Sequence, residues 1–198
     1  PSLGDVRGEY RFLAPRLAAA GYRVVTMDLR GLGESSTDWD DFSVTGVGSD
    51  LVALARSLDA GPAVIIGESM SAGAAVWAAA EAPELFAALV LIGPFVRGET
   101  STVGRLLYAG MFRRPWGAAL WQWYYSTLYP TQKPADFAAY VAALRKNLQE
   151  PGRLEALHAM AVASKAASEQ RLGQVQAPVL VLMGSKDPDF KDPHAEAQ

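Results

Sequence analysis

The run "VIIGESMSAGAAVWAAAEAPELFAALVLIGP", residues 64–94, decides the fold. It opens on a short apolar stretch, residues 63–67, that reads as a strand. A turn of small residues follows, and an Ala-rich helix is expected from about Ser71 to Ala82, with Pro83 just past its end. Residues 88–93, "ALVLIG", return to the strand pattern. Strand, helix, strand in this order is a parallel βαβ unit. Its turn contains two serines. A nucleophile can be exposed where a strand turns sharply into a helix, provided the residues two before and two after it are small. Ser69 is flanked in this way by Gly67 and Ser71, and Ser71 by Ser69 and Gly73. Both pass the steric test, but Ser69 directly follows the strand. Ser71 falls in the first helical turn, where its hydroxyl would be less exposed.

Working outward, "RVVTM" at residues 23–27 reads as another buried strand. Before it, Tyr10, Leu13 and Leu17 share one helical face, and Gly21 is placed to end that helix. Ser49 is expected to cap a helix that turns Leu51, Leu54, Ala55 and Leu58 inward, with Gly61-Pro62 as its stop. "PVLVLMG", residues 178–184, is a further strand. Between residues 97 and 176 the strand pattern lapses. Tyr108, Phe112, Trp116, Trp121, Trp123, Tyr124, Tyr125 and Tyr129 crowd together there, and Phe137, Tyr140, Val141, Leu144 and Leu148 recur at helical spacing. The expectation is an α/β fold: a mostly parallel sheet with helices on both faces, built from residues 1–96 and 177–198. A helical cap, residues 97–176, interrupts it. Its aromatics fit either plain packing or an apolar substrate pocket under a lid.

The composition narrows the function. The 198 residues carry a net charge of −3 and no basic block, which argues against nucleic acid and anionic membranes as partners. With no cysteine and only two distant histidines, His158 and His194, no metal site is expected. No apolar run reaches the roughly 18 residues of a membrane span. A cytoplasmic protein is expected, with an upstream leader left open. The absence of an initiator Met and the helix-like start at "DPHAEAQ" suggest a fragment of a longer chain.

The 64–94 run resembles the nucleophile region of the α/β-hydrolase superfamily: apolar strand, Gly-x-Ser-Met-Gly-Gly, Ala-rich helix, Pro-Glu, apolar strand. In that pattern the helix-ending proline falls about fourteen residues after the nucleophile, and Pro83 lies fourteen after Ser69. Met70 also matches, while Ser71 replaces a usual glycine. "GYRVVTMDLRGLGESS" resembles the family's Asp-x-Arg-Gly-x-Gly-x-Ser segment, with Leu32 where histidine is common. "GSKD" resembles the turn that presents the catalytic acid. "PSLG" resembles the remains of the oxyanion loop, with Pro1-Ser2 in place of His-Gly.

The resemblance implies a serine hydrolase. Ser69 attacks, Asp187 is the acid with Asp189 its neighbour and competitor, and the amides of Met70 and Leu3 bind the oxyanion. A serine hydroxyl needs a histidine base held by that acid. The family pattern sets the histidine well beyond the acid. His194 lies only seven residues past Asp187 and follows Asp192-Pro193, a helix cap and first turn. His158 reads as a surface or cap residue of the helical block, and Glu68 as solvent-facing or supporting. The base is therefore expected downstream of residue 198. The implied reaction is hydrolysis of a small apolar carboxylic ester, or related acyl transfer, without metal or organic cofactor. The alternative is a hydrolase-like protein, weakly active or inactive, that binds a ligand or signals. The sequence gives no reading of oligomeric state.

Overall fold

A computed structural model describes residues 1–98 and 101–198; Glu99 and Thr100, at the start of the expected insertion, lie outside the described residues. A short 3-10 turn, Arg7–Arg11, leads into α1 (Leu13–Ala19), which ends before Gly21 at φ +91°. α2 (Val44–Leu58) packs on α3 (Met70–Glu81), and α3 lies across β1 (Ala63–Glu68) and β2 (Phe86–Ile92). Four helices follow: α4 (Thr102–Met111), α5 (Gly117–Thr127), α6 (Phe137–Leu148) and α7 (Arg153–Val162). The short α8 (Ala166–Glu169), β3 (Val179–Leu182) and α9 (Pro193–Glu196) complete the chain.

The three strands form one parallel sheet in the order β1-β2-β3, with Ile65 opposite Leu89 and Leu89 opposite Val179. α3 is buried from Met70 through Ala79. Its many alanines permit this, because they let the sheet and α2 approach the helix backbone closely. Ser168 anchors α8 against it, donating from its fully buried hydroxyl to the Gly73 carbonyl at 2.8 Å.

Two sequence expectations are corrected. Residues 23–27 form no strand: no described residue forms a backbone ladder with them, and Val25 stays 46% exposed. An apolar run becomes a strand only where a neighbour supplies the hydrogen bonds. The α2 cap is Ser43, whose hydroxyl accepts from the Thr45 and Gly46 amides, while Ser49 lies inside the helix and donates back to the Thr45 carbonyl.

The helical block and the α/β part share a hydrophobic core. Leu29, Leu32, Val44, Met70 and Ala74 pack with Phe112, Trp121, Leu148, Leu157 and Met160. A second cluster joins α3 to the sheet through Ile65, Val76, Leu89 and Leu91. A third lies within the block, around Tyr125, Phe137, Val141 and Leu144. No described helix is long and apolar enough to cross a membrane.

Candidate active site

Loops at the carboxyl ends of the three parallel strands converge, the usual place for a site in such a sheet. Ser69 stands between β1 and α3 at φ +54°, ψ −118°, a backbone state that non-glycine residues rarely adopt. Two bonds from the neighbouring strand end hold it there. The Ser69 amide donates to the Ile92 carbonyl at 2.9 Å, and the Phe95 amide donates to the Ser69 carbonyl at 3.2 Å.

The turn is tight. A β-carbon at Gly67 would lie 2.7 Å from the Ser71 carbonyl oxygen, and one at Gly73 would lie 2.8 Å from the Phe95 carbonyl oxygen. Ser71 is tolerated because its hydroxyl turns inward. It accepts from the Glu68 amide and donates to the Glu68 carbonyl, each at 2.9 Å. The two serines thus differ in availability: Ser71 is buried with its hydroxyl engaged, whereas Ser69 is half-buried and no described residue hydrogen-bonds its hydroxyl.

Asp187 follows β3. Its carboxylate accepts from the Asp189 amide at 3.0 Å, and one of its oxygens lies 3.5 Å from where a β-carbon on Gly93 would stand. That brings it to the end of β2, beside the segment that holds Ser69. Asp189 turns elsewhere and accepts from the Tyr124 hydroxyl at 2.7 Å; burial holds its carboxyl above the usual range. Phe190 packs on Phe95 with ring centres 4.5 Å apart. Among the described residues neither histidine hydrogen-bonds Ser69 or Asp187. His158 is on α7 with its ring 6.3 Å from that of Phe112, and His194 is exposed on α9.

The loop at residues 1–4 is held from several sides. The Ser2 amide donates to Glu9 Oε2 at 2.7 Å, and Trp121 of α5 donates its indole N–H to the Gly4 carbonyl at 3.2 Å. Asp5, fully buried, accepts from the Val6 amide at 2.7 Å, from the Tyr125 hydroxyl at 2.6 Å and from the Tyr140 hydroxyl. Burial, aided by the charge of Glu9, pushes the Asp5 carboxyl up to about 6 despite these donors. Burial and the adjacent carboxylate likewise raise both tyrosines. Below the loop, Asp28 accepts from the Arg7 amide at 2.6 Å, from the Arg7 guanidinium at 2.7 Å and from the Glu34 amide at 3.0 Å.

Asp5 and Glu9 do not stand out in the sequence. The one local signal is two acids four residues apart, with Arg7 between them and Arg11 just after. Glu68, left between solvent-facing and supporting roles, is half-buried and lies against the Glu9 carboxyl.

The chain matches the alpha/beta hydrolase fold family over residues 1–197 and belongs to it. It is similar to an epoxide hydrolase of Caballeronia sordidicola, at 38% identity over 48% of this chain and 30% of that protein. It is also similar to a rice protein named as a probable esterase, at 34% identity over 45% of this chain and 34% of that protein. The matched segments thus span about a third of those relatives' own length. Among solved structures, a thermophilic esterase of Thermogutta terrifontis shares the fold with a TM-score of 0.68 at 23% identity, over 91% of this chain and 67% of that one.

Proposed function

We propose that the protein is a serine hydrolase that cleaves a carboxylic ester, or a related acyl substrate, through an acyl-enzyme on Ser69. One observation carries the reading. Ser69 occupies the strained turn between β1 and α3 with its hydroxyl free, while the competing hydroxyl of Ser71 is spent on Glu68. Asp187 is the acid, because Asp189 is engaged by Tyr124 and Asp187 faces the strand end beside the nucleophile. The Met70 amide, at the start of α3, and the Leu3 amide receive the oxyanion. The base is a histidine outside these 198 residues, since neither His158 nor His194 hydrogen-bonds Asp187 among the described residues.

In the first half-reaction the Ser69 oxygen attacks the acyl carbon as the base takes its proton. The carbonyl oxygen gains negative charge between the two amides, and the base returns the proton to the leaving alcohol. Water then repeats the sequence on the acyl-enzyme and releases the acid. No metal or organic cofactor has a step in this scheme. An apolar substrate suits the surroundings, because Leu3 and Tyr124 pack against the core that contains Met70, Phe112 and Trp121. In this reading residues 97–176, with helices α4 to α8, form the cap.

The test is hydrolysis of p-nitrophenyl esters of increasing chain length by the whole protein and by Ser69→Ala. Turnover lost by about 10⁴- to 10⁶-fold in the variant supports the reading. Turnover unchanged in the variant defeats it. The second reading, a ligand-binding or signalling protein without turnover, is favoured by Ser71, which stands in the turn where the family pattern has glycine. A whole protein that binds apolar esters without cleaving them would establish it.

A further inference from the structure

We propose that Glu9 is a positioning residue whose carboxyl ties the Ser2 amide to Glu68, the residue before Ser69, and so fixes the Leu3 amide against the nucleophile. The inference rests on the Ser69 reading and deepens it. An oxyanion site works only if its donors are set before the reaction, and its two amides here come from segments far apart in the chain. Met70 is fixed by α3. Leu3 belongs to an irregular loop and needs an external brace.

Glu9 supplies that brace. One of its oxygens, Oε2, accepts from the Ser2 amide at 2.7 Å. The other, Oε1, is buried and receives no N–H or O–H from a described residue. The Glu68 carboxyl faces the Glu9 carboxyl, and the two form a hydrogen bond only when one carries a proton. A proton between them satisfies the buried oxygen. Without it, two negative charges meet where water is scarce.

The surroundings favour the protonated form. Burial, followed by the hydrogen bond and the charge of Glu68, pushes the Glu9 carboxyl up to about 8. The groups that face it are Glu68 from β1, Asp5 and Tyr10 from its own segment, Tyr129 beyond α5 and Tyr140 from α6. The Ser2 amide acts the other way. The clamp is therefore closed at neutral pH and opens as pH rises through about 8, when Glu9 ionises and is repelled by Glu68.

The experiment compares the whole protein with Glu9→Gln and Glu9→Ala, using p-nitrophenyl butyrate from pH 6 to 10. Gln reproduces the protonated clamp at every pH, because its amide donates to Glu68 and its oxygen accepts from Ser2. The expected wild-type kcat falls as pH rises through about 8. Glu9→Gln stays within about threefold of wild type at pH 7 and lacks that fall. Glu9→Ala loses about 10- to 100-fold in kcat at pH 6 to 7 with KM nearly unchanged, as for a displaced oxyanion donor, and the gap to wild type narrows at alkaline pH.

Wild-type kcat in Glu9→Ala overturns the proposal, and so does a wild-type alkaline fall retained in Glu9→Gln. Hydrogen exchange at the Ser2 and Leu3 amides reads the brace without turnover. It should quicken in Glu9→Ala and not in Glu9→Gln, and equal protection in all three proteins refutes the brace. If wild type neither cleaves esters nor takes up a fluorophosphonate at Ser69, the hydrolase reading fails, and the exchange result alone decides whether Glu9 holds the loop.

Discussion

Trp121 donates its indole N–H to the Gly4 carbonyl at 3.2 Å, and its ring occupies the space that a side chain on Gly4 would need. A helix of the 97–176 block thereby braces the opening loop directly. Three residues further along the same helix, Tyr124 binds Asp189 in the loop of the proposed acid at 2.7 Å. α5 thus spans both loops.

Gly4→Ala should be strongly destabilising. The new β-carbon would lie 2.5 Å from the indole, and Gly4 sits at φ +69°, where alanine is strained. A loss of about 2–4 kcal/mol in urea unfolding is expected. A change below about 0.5 kcal/mol would show that the loop can move off Trp121.

Tyr124→Phe removes the hydroxyl that donates to Asp189 while keeping the ring in the core. Asp189 then competes for the role of Asp187, or loosens its loop. A fall in kcat of about three- to tenfold with KM little changed is expected, in keeping with one lost hydrogen bond. Unchanged kcat in steady-state assays would detach this contact from the acid loop.

Asp5→Asn tests the buried acid. Its carboxyl is raised from 3.8 to about 6, so the folded state binds the proton more tightly than the unfolded state does. Stability from this group is full below pH 3.8 and declines as pH rises to about 6. Asparagine does not titrate and can still accept from Tyr125. The variant should lose stability less steeply than wild type between those pH values, as judged by urea midpoints. Parallel curves would mean that Asp5 is not the titrating group.

The parts of the fold legible in the sequence were those set by neighbouring residues. The 64–94 run shows its strand, turn and helix through a short apolar stretch, small turn residues and a run of alanines, and Phe137, Val141, Leu144 and Leu148 mark α6 by their spacing. Residues 23–27 have the apolar content of a strand, yet strand formation depends on a partner elsewhere in the chain. Ser49 has the residue type of a helix cap, but the backbone at the start of α2 gives that role to Ser43. In the candidate site, the serine turn could be located from local pattern. The Asp5 cluster could not, because its partners Tyr125 and Tyr140 lie 120 and 135 residues away. Nothing local marks Glu9, because Ser2 and Glu68 come to its carboxyl only in the fold.

Ser71→Ala separates support from chemistry. It removes both bonds between the Ser71 hydroxyl and the Glu68 backbone, and should cost about 1–3 kcal/mol of stability. Alanine still satisfies the steric limit of the turn, so kcat at 25 °C should stay within about tenfold of wild type. A loss comparable to that of Ser69→Ala would make Ser71 the better candidate nucleophile.

The central claim is that Ser69 is the activated hydroxyl, and labelling of the whole protein with a fluorophosphonate probe, followed by peptide mapping, tests it most directly. The account predicts a single modified site at Ser69, absent in Ser69→Ala and retained in Ser71→Ala. Modification at Ser71, or no labelling in a folded protein that hydrolyses esters, would contradict it.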